Sequence, residues 1–221
     1  MKKLHFSIII VTFNGLDYIN KCIQSIINSN IKNYQIIVVD NGSSDGTVKY
    51  LGTKYSGFKN IKIISLDKNY GPAKARNIGA KQSNAKYLGF LDNDTTVDKN
   101  WAIHAKKAFE KDSKLAIIQC KLLLSSDKSK IDYIGEYLGT NGFLVQHVAA
   151  TTPDGPLYNQ QNYTLAAKSA GMFIRNDVFK KIKGFDESYF IYVEETDLGF
   201  RSWIAGFTAK LIPNSVVYHH F

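Results

Sequence analysis

The chain has 221 residues, 44% of them hydrophobic, a net charge of +9 and a pI of about 9.3. That length and apolar share support one domain with a real core. Its basic residues are scattered, which argues against a disordered basic tail, and no stretch reaches the ~18–20 apolar residues of a membrane span. Two cysteines, Cys22 and Cys120, lie far apart in apolar patterns with no CxxC, which argues against a structural zinc site; they read as reduced core residues of a cytosolic protein.

"FSIIIVTF" after Lys2 and Lys3 imitates a signal peptide, but the run is short and no small-residue cleavage site follows; it reads as a first buried strand. Ile19, Cys22, Ile23, Ile26 and Ile27 recur at helical spacing. "YQIIVVD" is a second buried strand, followed by the capping turn "NGSSDGT" and a short helix over 48–54. "IKIISL" is a third strand, and "NYGPAKARNIGAKQ" a loop leading into a helix with Pro72 near its first turn. "KYLGFLD" is a fourth strand, Trp101 to Lys111 a helix, and "LAIIQCKLLL" a strand. From 125 to 165 the pattern weakens to loops with short strands. "KSAGMFIRNDVFKKI" then reads as a strand leading into a helix, and "GFDESYFIYVEETDLGFRSWIAG" as an acidic loop leading into another. "FTAKLIP" and "SVVYHHF" read as two short terminal strands.

Strand and helix thus alternate through the first half, which predicts an α/β protein with a doubly wound, mostly parallel sheet. Ligands on such sheets bind beyond the carboxyl ends of the strands. Thr12, Asn14, Asp40, Asn69, Asp92 and Asp94 collect at those ends.

Several motifs compete there. Gly42 to Gly46 matches G-x-S-x-G, which would make Ser44 an esterase nucleophile; only one strand precedes it and no HGGG-like segment exists, so turn and cap residues are the better reading. Asp92-Asn93-Asp94 starts like a calcium loop, yet Val97 stands where glycine is needed and Ile103 where glutamate is needed. No P-loop and no GxGxxG after the first strand is found. What remains is a carboxylate pair at a parallel sheet edge, suited to a hard cation such as Mg2+ or Mn2+ bridging to a diphosphate. Glu194, Glu195 and Asp197 form a second acidic cluster. They either complement a helix N-terminus or supply a general base. Strand alternation turns His219 and His220 to opposite faces, so one of them joins a given site and completes a metal site with Asp94.

Taken in order, "SIIIVTFNG", "IIVVDNGSSDGT", "NYGPAKARNIGAK", "FLDND", "SAGMFIRNDVFKKIKGFDESYFIYVEETDLGFR" and "VVYHH" resemble the family 2 glycosyltransferases of GT-A fold, and the last two their rhamnosyltransferase-like members. The resemblance covers essentially the whole chain. It implies a single catalytic domain with a nucleotide-sugar half over 1–95 and a smaller acceptor half over 96–221. Members often continue with further helices, so the chain is either a short form or an excised domain.

The resemblance also implies an inverting transfer from a UDP- or dTDP-linked sugar to a hydroxyl of a glycan or lipid-linked acceptor. Thr12 and Asp40 would contact the nucleobase, with Arg76 nearby. Asp92 would face the ribose and sugar, and Asn14, Asn69, Gly71 and Asn93 complete the donor set. Asp94 and His219 would hold Mg2+ or Mn2+. The family's Glu-Asp pair corresponds to Glu194-Glu195, which makes Glu195 the base, although glutamate stands where the family has aspartate; Asp197 is the alternative. An inactive nucleotide-sugar-binding module is the competing class. The charge alone suggests nucleic acid, but no helix-turn-helix, RNP-like aromatics or dense basic stripe supports it. The basic surface instead suits a cytoplasmic protein in peripheral contact with the inner face of the membrane.

Overall fold

The computed structural model describes residues 4–220. The apolar run at the start forms β1 (Phe6–Thr12), followed by α1 (Leu16–Ile27), β2 (Tyr34–Asp40), α2 (Thr47–Tyr55), β3 (Ile61–Ser65), α3 (Pro72–Lys81) and β4 (Tyr87–Asp92). A short β5 (Thr95–Val97), which the sequence pattern does not reveal, precedes α4 (Trp101–Lys111) and β6 (Leu115–Leu124). The weakly patterned stretch holds β7 (Lys130–Tyr133), β8 (Glu136–Leu138), β9 (Leu144–Gln146) and β10 (Thr152–Pro153). Next come β11 (Met172–Arg175), α5 (Asn176–Lys181), α6 (Glu194–Ile204) and β12 (Thr208–His219).

The two terminal strands expected from the sequence are one strand with an interruption. β12 pairs parallel with β6, but Ile212 opposes Cys120 while Val216 opposes the next residue, Lys121. Pro213 has no N–H to give the ladder, so the chain bulges here. Ser215 secures the bulge by donating to the Trp101 carbonyl at 2.9 Å. Pairing then resumes and carries His219 opposite both Leu124 of β6 and Thr95 of β5.

The main sheet runs β10-β7-β6-β11-β4-β1-β2-β3, with β12 and β5 off that path. β4, β1, β2 and β3 are parallel, as the alternation predicts. β11 lies antiparallel between β4 and β6 and joins the second half of the chain to the first. The two faces follow the period-2 alternation. Ile8, Ile10, Ile36 and Val38 point into a core with α1, α2 and α4. Ile9, Ile37 and Val39 point into a second core with α3, α5 and Leu198 of α6. β1 and β2 are therefore apolar along most of their length, because both of their faces are covered. Cys22 and Cys120 are free and buried, and burial pushes each thiol up to about 12.

Parallel register aligns the strand ends. Thr12 stands opposite Asp40, Asp40 opposite Ser65, and Val11 opposite Asp92. The polar residues that end these runs therefore share one edge.

Candidate active site

The turns after β1, β2 and β3 are knitted together at one end of that edge. Asp40 is fully buried and accepts the Ser43 N–H at 3.0 Å. Asn14 donates its N–H to Ser43 Oγ at 2.8 Å and accepts the Ser44 N–H on Oδ1 at 2.9 Å. Asp45 accepts from the backbone of Leu16 and of Thr47, the latter opening α2. Ser44 thus belongs to a structural tie between two loops, as turn and cap residues do. Thr12 Oγ1, packed against Gly15, is buried with no hydrogen-bond partner.

Asn41 Nδ2 donates to Asn69 Oδ1 at 2.8 Å, and that same oxygen accepts the Gly71 N–H at 2.9 Å. Asn41, which sequence reasoning passed over, therefore shapes the loop that carries Asn69 and Gly71. Gly71 has φ 82° and ψ 157°, a region essentially reserved for glycine. A Cβ there would stand 2.4 Å from the Phe190 carbonyl oxygen, so the segment preceding α6 crosses directly over this loop.

Arg76, one turn into α3, is 5% exposed and sits among three carboxylates. Its Nη2 is 3.2 Å from Asp92 Oδ1, and its Nη1 is 2.8 Å from Glu194 Oε1 and 3.8 Å from Glu195 Oε1. Burial opposes the guanidinium charge, but the carboxylates outweigh it and hold the group protonated. The structure thus brings Arg76 to the acids ending β4 and opening α6. Glu194 is 3% exposed, and its Oε2 has no partner.

Glu195 lies beside it with a carboxyl that burial raises, partly countered by Arg76 and by hydrogen bonds from Ser169. The Ser169 N–H donates to Glu195 Oε1 at 2.6 Å, and the Ser169 hydroxyl donates to the same oxygen. Asp197 is engaged elsewhere, with Arg201 one turn along α6. Tyr192 and Val193, both at φ 70°, lead into α6; for a β-branched residue that left-handed conformation costs ~1–2 kcal/mol.

Asp94 and His219 meet at the far end of the edge. Asp94 Oδ1 is buried with no hydrogen-bond partner and stands 3.5 Å from His219 Nε2. The other ring nitrogen, Nδ1, is 3.0 Å from Asp132 Oδ2 on β7. Burial works against the imidazolium, but Asp132 and Asp94 outweigh it and push the group up to about 9. His220 turns the other way, its Nε2 3.1 Å from Ser125 Oγ, while its N–H donates to the Asp94 carbonyl at 2.8 Å. Among the described residues no three His, Cys, Asp or Glu side chains form a closed metal cage. Asp94 and His219 are the residues that would hold a divalent ion, because a buried carboxylate oxygen faces an imidazole nitrogen whose ring is oriented from behind by a second carboxylate. Asp132 was not foreseen, since a lone aspartate in "KIDY" carries no pattern.

The structure therefore assembles Arg76, Asp92, Glu194 and Glu195 in one cluster, and Asp94 with His219 beside it. Asn93 packs against Gly15, where a Cβ would meet its Nδ2 at 2.2 Å.

Comparison with known proteins agrees with this architecture. In sequence, the chain is 41% identical over 49 residues to the N-acetylglucosaminyl-diphospho-decaprenol L-rhamnosyltransferase of Mycobacterium tuberculosis, covering 22% of this chain and 16% of that protein. It is 26% identical over 144 residues to the O-antigen biosynthesis protein RfbC of Myxococcus xanthus, covering 62% of this chain and 11% of that one. In structure, it is similar to GalNAc-T7 crystallised with UDP, GalNAc and Mn2+, with a TM-score of 0.79 at 18% identity over 100% of this chain and 44% of that one. It is also similar to S. aureus TarS 1–349, bound to UDP-GlcNAc, with a TM-score of 0.73 at 19% identity over 99% of this chain and 59% of the other. The fold is thus the GT-A type, an α/β architecture with a mostly parallel central sheet and flanking helices. The model of glycosyl transferase family 2 matches residues 7–182, most of the chain, and the protein belongs to that family.

Proposed function

We propose that this chain carries out an inverting transfer of a sugar from a nucleotide-diphosphate donor to an acceptor hydroxyl. The observation that carries the reading is the grouping of Asp92, Asp94, His219, Arg76 and Glu195 along one sheet edge. UDP in the GalNAc-T7 and TarS structures supports a uridine or similar pyrimidine donor, and the rhamnosyltransferase relative supports a deoxyhexose among the candidate sugars.

Thr12, Asn14 and Asp40 line the place for the base, and the Asn69–Gly71 loop the place for the remainder of the nucleotide. Asp92, held by Arg76, faces the ribose and the donor sugar. Asp94 and His219 would hold Mg2+ or Mn2+, which when bound would offset the negative charge of the diphosphate leaving group.

Glu195 takes the proton of the acceptor hydroxyl as that oxygen attacks the anomeric carbon from the face opposite the diphosphate. Such a base is worth about 10²–10⁴-fold in rate. Its partner Glu194 is too buried and too firmly paired with Arg76 to reach an acceptor.

Exposed apolar side chains gather in two segments next to Glu195. Phe190, Ile191, Tyr192 and Val193 precede α6, and Tyr137, Leu138, Phe143 and Leu144 belong to the β8–β9 hairpin, which is tied to α6 through Glu136 and Thr196. Clustered apolar exposure of this kind marks an interaction surface and supports a lipid-linked acceptor. No helix among the described residues is long and apolar enough to cross a membrane, and peripheral contact would rest on this surface together with the basic charge.

The test is a panel of UDP-, dTDP- and GDP-sugars with Mn2+ or Mg2+, followed by thermal shift and slow donor hydrolysis, with and without EDTA. A metal-dependent response to at least one donor is expected. Silence across the panel overturns the reading.

A further inference from the structure

We propose that Ser169 is a positioning residue that clamps one oxygen of the Glu195 carboxylate and leaves the other, Oε2, as the atom that receives the acceptor proton. This inference rests on Glu195 being the base.

Ser169 lies just before β11 and is fully buried. Both of its donors, the backbone N–H at 2.6 Å and the hydroxyl, converge on Glu195 Oε1, 26 residues further along the chain. The nearest guanidinium nitrogen of Arg76 also approaches this oxygen, at 3.8 Å. Oε1 is thus committed on the protein side. With two lone pairs per carboxylate oxygen, Oε2 retains full accepting capacity.

The remaining groups around Glu195 argue that this clamp decides the carboxylate's orientation. Arg76 from α3 is shared with Asp92 and Glu194 and is closer to both. Glu194, from the same helix, repels the Glu195 charge. Tyr133 from β7 is a buried phenol that burial, Glu136 and Glu195 hold in its neutral form. Ser169 alone among these donates two hydrogen bonds to it. The clamp also accounts for glutamate at this position. The carboxylate must reach back to the Ser169 backbone from the first turn of α6, and an aspartate would be about one methylene short. In the transfer step the acceptor O–H bond breaks, its oxygen bonds to the anomeric carbon, the sugar–diphosphate bond breaks, and the proton ends on Oε2.

The experiment compares Ser169→Ala, Ser169→Thr and Glu195→Gln with the parent, reading donor affinity, melting temperature and the pH dependence of kcat/KM. Removing a hydrogen bond to a charged group should lower kcat by about 10–100-fold in Ser169→Ala. The acid limb of its profile should move upward by about one pH unit, because the ionised carboxylate loses a donor. Donor affinity should hold, and Ser169→Thr, which keeps the hydroxyl, should restore the parental limb. A Ser169→Ala limb that superimposes on the parent's overturns the clamp, as does a loss of donor affinity matching the loss of rate. Full activity in Glu195→Gln would instead overturn the assignment of the base, whatever Ser169→Ala shows.

Discussion

Arg76 Nη1 stands 2.8 Å from Glu194 Oε1, 118 residues further along the chain, and both side chains are almost wholly buried. The pair joins the helix that follows β3 to the helix that carries the proposed base. It therefore couples the stability of the fold to the geometry of the site. Breaking a buried pair by removing one partner costs ~3–5 kcal/mol, because a charge is left uncompensated. Arg76→Met should lower the denaturation midpoint accordingly. Adding Glu194→Gln should recover part of the loss, and chemical denaturation of the four corners of this cycle would measure the coupling.

Glu195 should set an acid limb in kcat/KM. Burial raises its carboxyl above the ordinary glutamate range of ~4.3, so the ionised base is lost on acidification at a higher pH than an exposed glutamate would require. The stability effect has the opposite sense. A carboxyl raised in the folded state costs stability once the pH is above its unfolded value, and that cost grows until its folded value is passed. Glu195→Gln should therefore fold at least as well as the parent at neutral pH, keep donor binding, and lose about 10²–10⁴-fold in transfer. Melting curves and donor titrations beside the rate assay distinguish this from a folding defect.

Asp132 reaches the proposed metal site through His219, whose Nδ1 lies 3.0 Å from it. Partners of this kind orient the ligand, and losing one typically costs ~10–100-fold in metal affinity. Asp132→Asn should raise the Mn2+ concentration needed for half-maximal donor response within that range while leaving kcat at saturating metal nearly unchanged. Asp94→Asn should weaken the response far more. EDTA should abolish it in every variant.

Gly71 gives a test of the proposed donor site. Its backbone angles cost a non-glycine residue ~1–3 kcal/mol, and an added Cβ would meet the Phe190 carbonyl at 2.4 Å. Gly71→Ala should lower the melting temperature and raise KM for the donor more than it changes kcat. Steady-state kinetics with a single donor sugar would show this directly.

The carboxylates that end strong patterns were legible before the structure. Asp40 and Asp92 stop the buried runs of β2 and β4, and Glu195 stands in an acidic cluster at a helix start, so local chemistry announced them. Ser169, Tyr133 and Asp132 were not legible. Tyr133 and Asp132 sit on a four-residue strand in the weakly patterned stretch, and Ser169 in a short turn before β11. Their importance comes from contacts 26 to 87 residues away in sequence, to Glu195 and His219. Arg76 shows the same limit in another form. Its helix was expected from the Pro72 signal, but the three acids it meets come from β4 and α6, which no local pattern could pair.

Hydrophobic periodicity was enough to determine the strand-helix alternation and the parallel first half, because β1, β2 and β4 are covered on both faces and read as near-continuous apolar runs. It also set which carboxylates share an edge, since parallel register lines up the strand ends. The tertiary structure decided the rest. β11 runs antiparallel between β4 and β6, and β12 resumes its ladder beyond the Pro213 bulge. The segment leading into β11 delivers Ser169 to Glu195, and the resumed ladder delivers His219 to Asp94 and Asp132. Such pairings depend on which distant strands exchange hydrogen bonds, and the free energy that selects them is spread over the whole core.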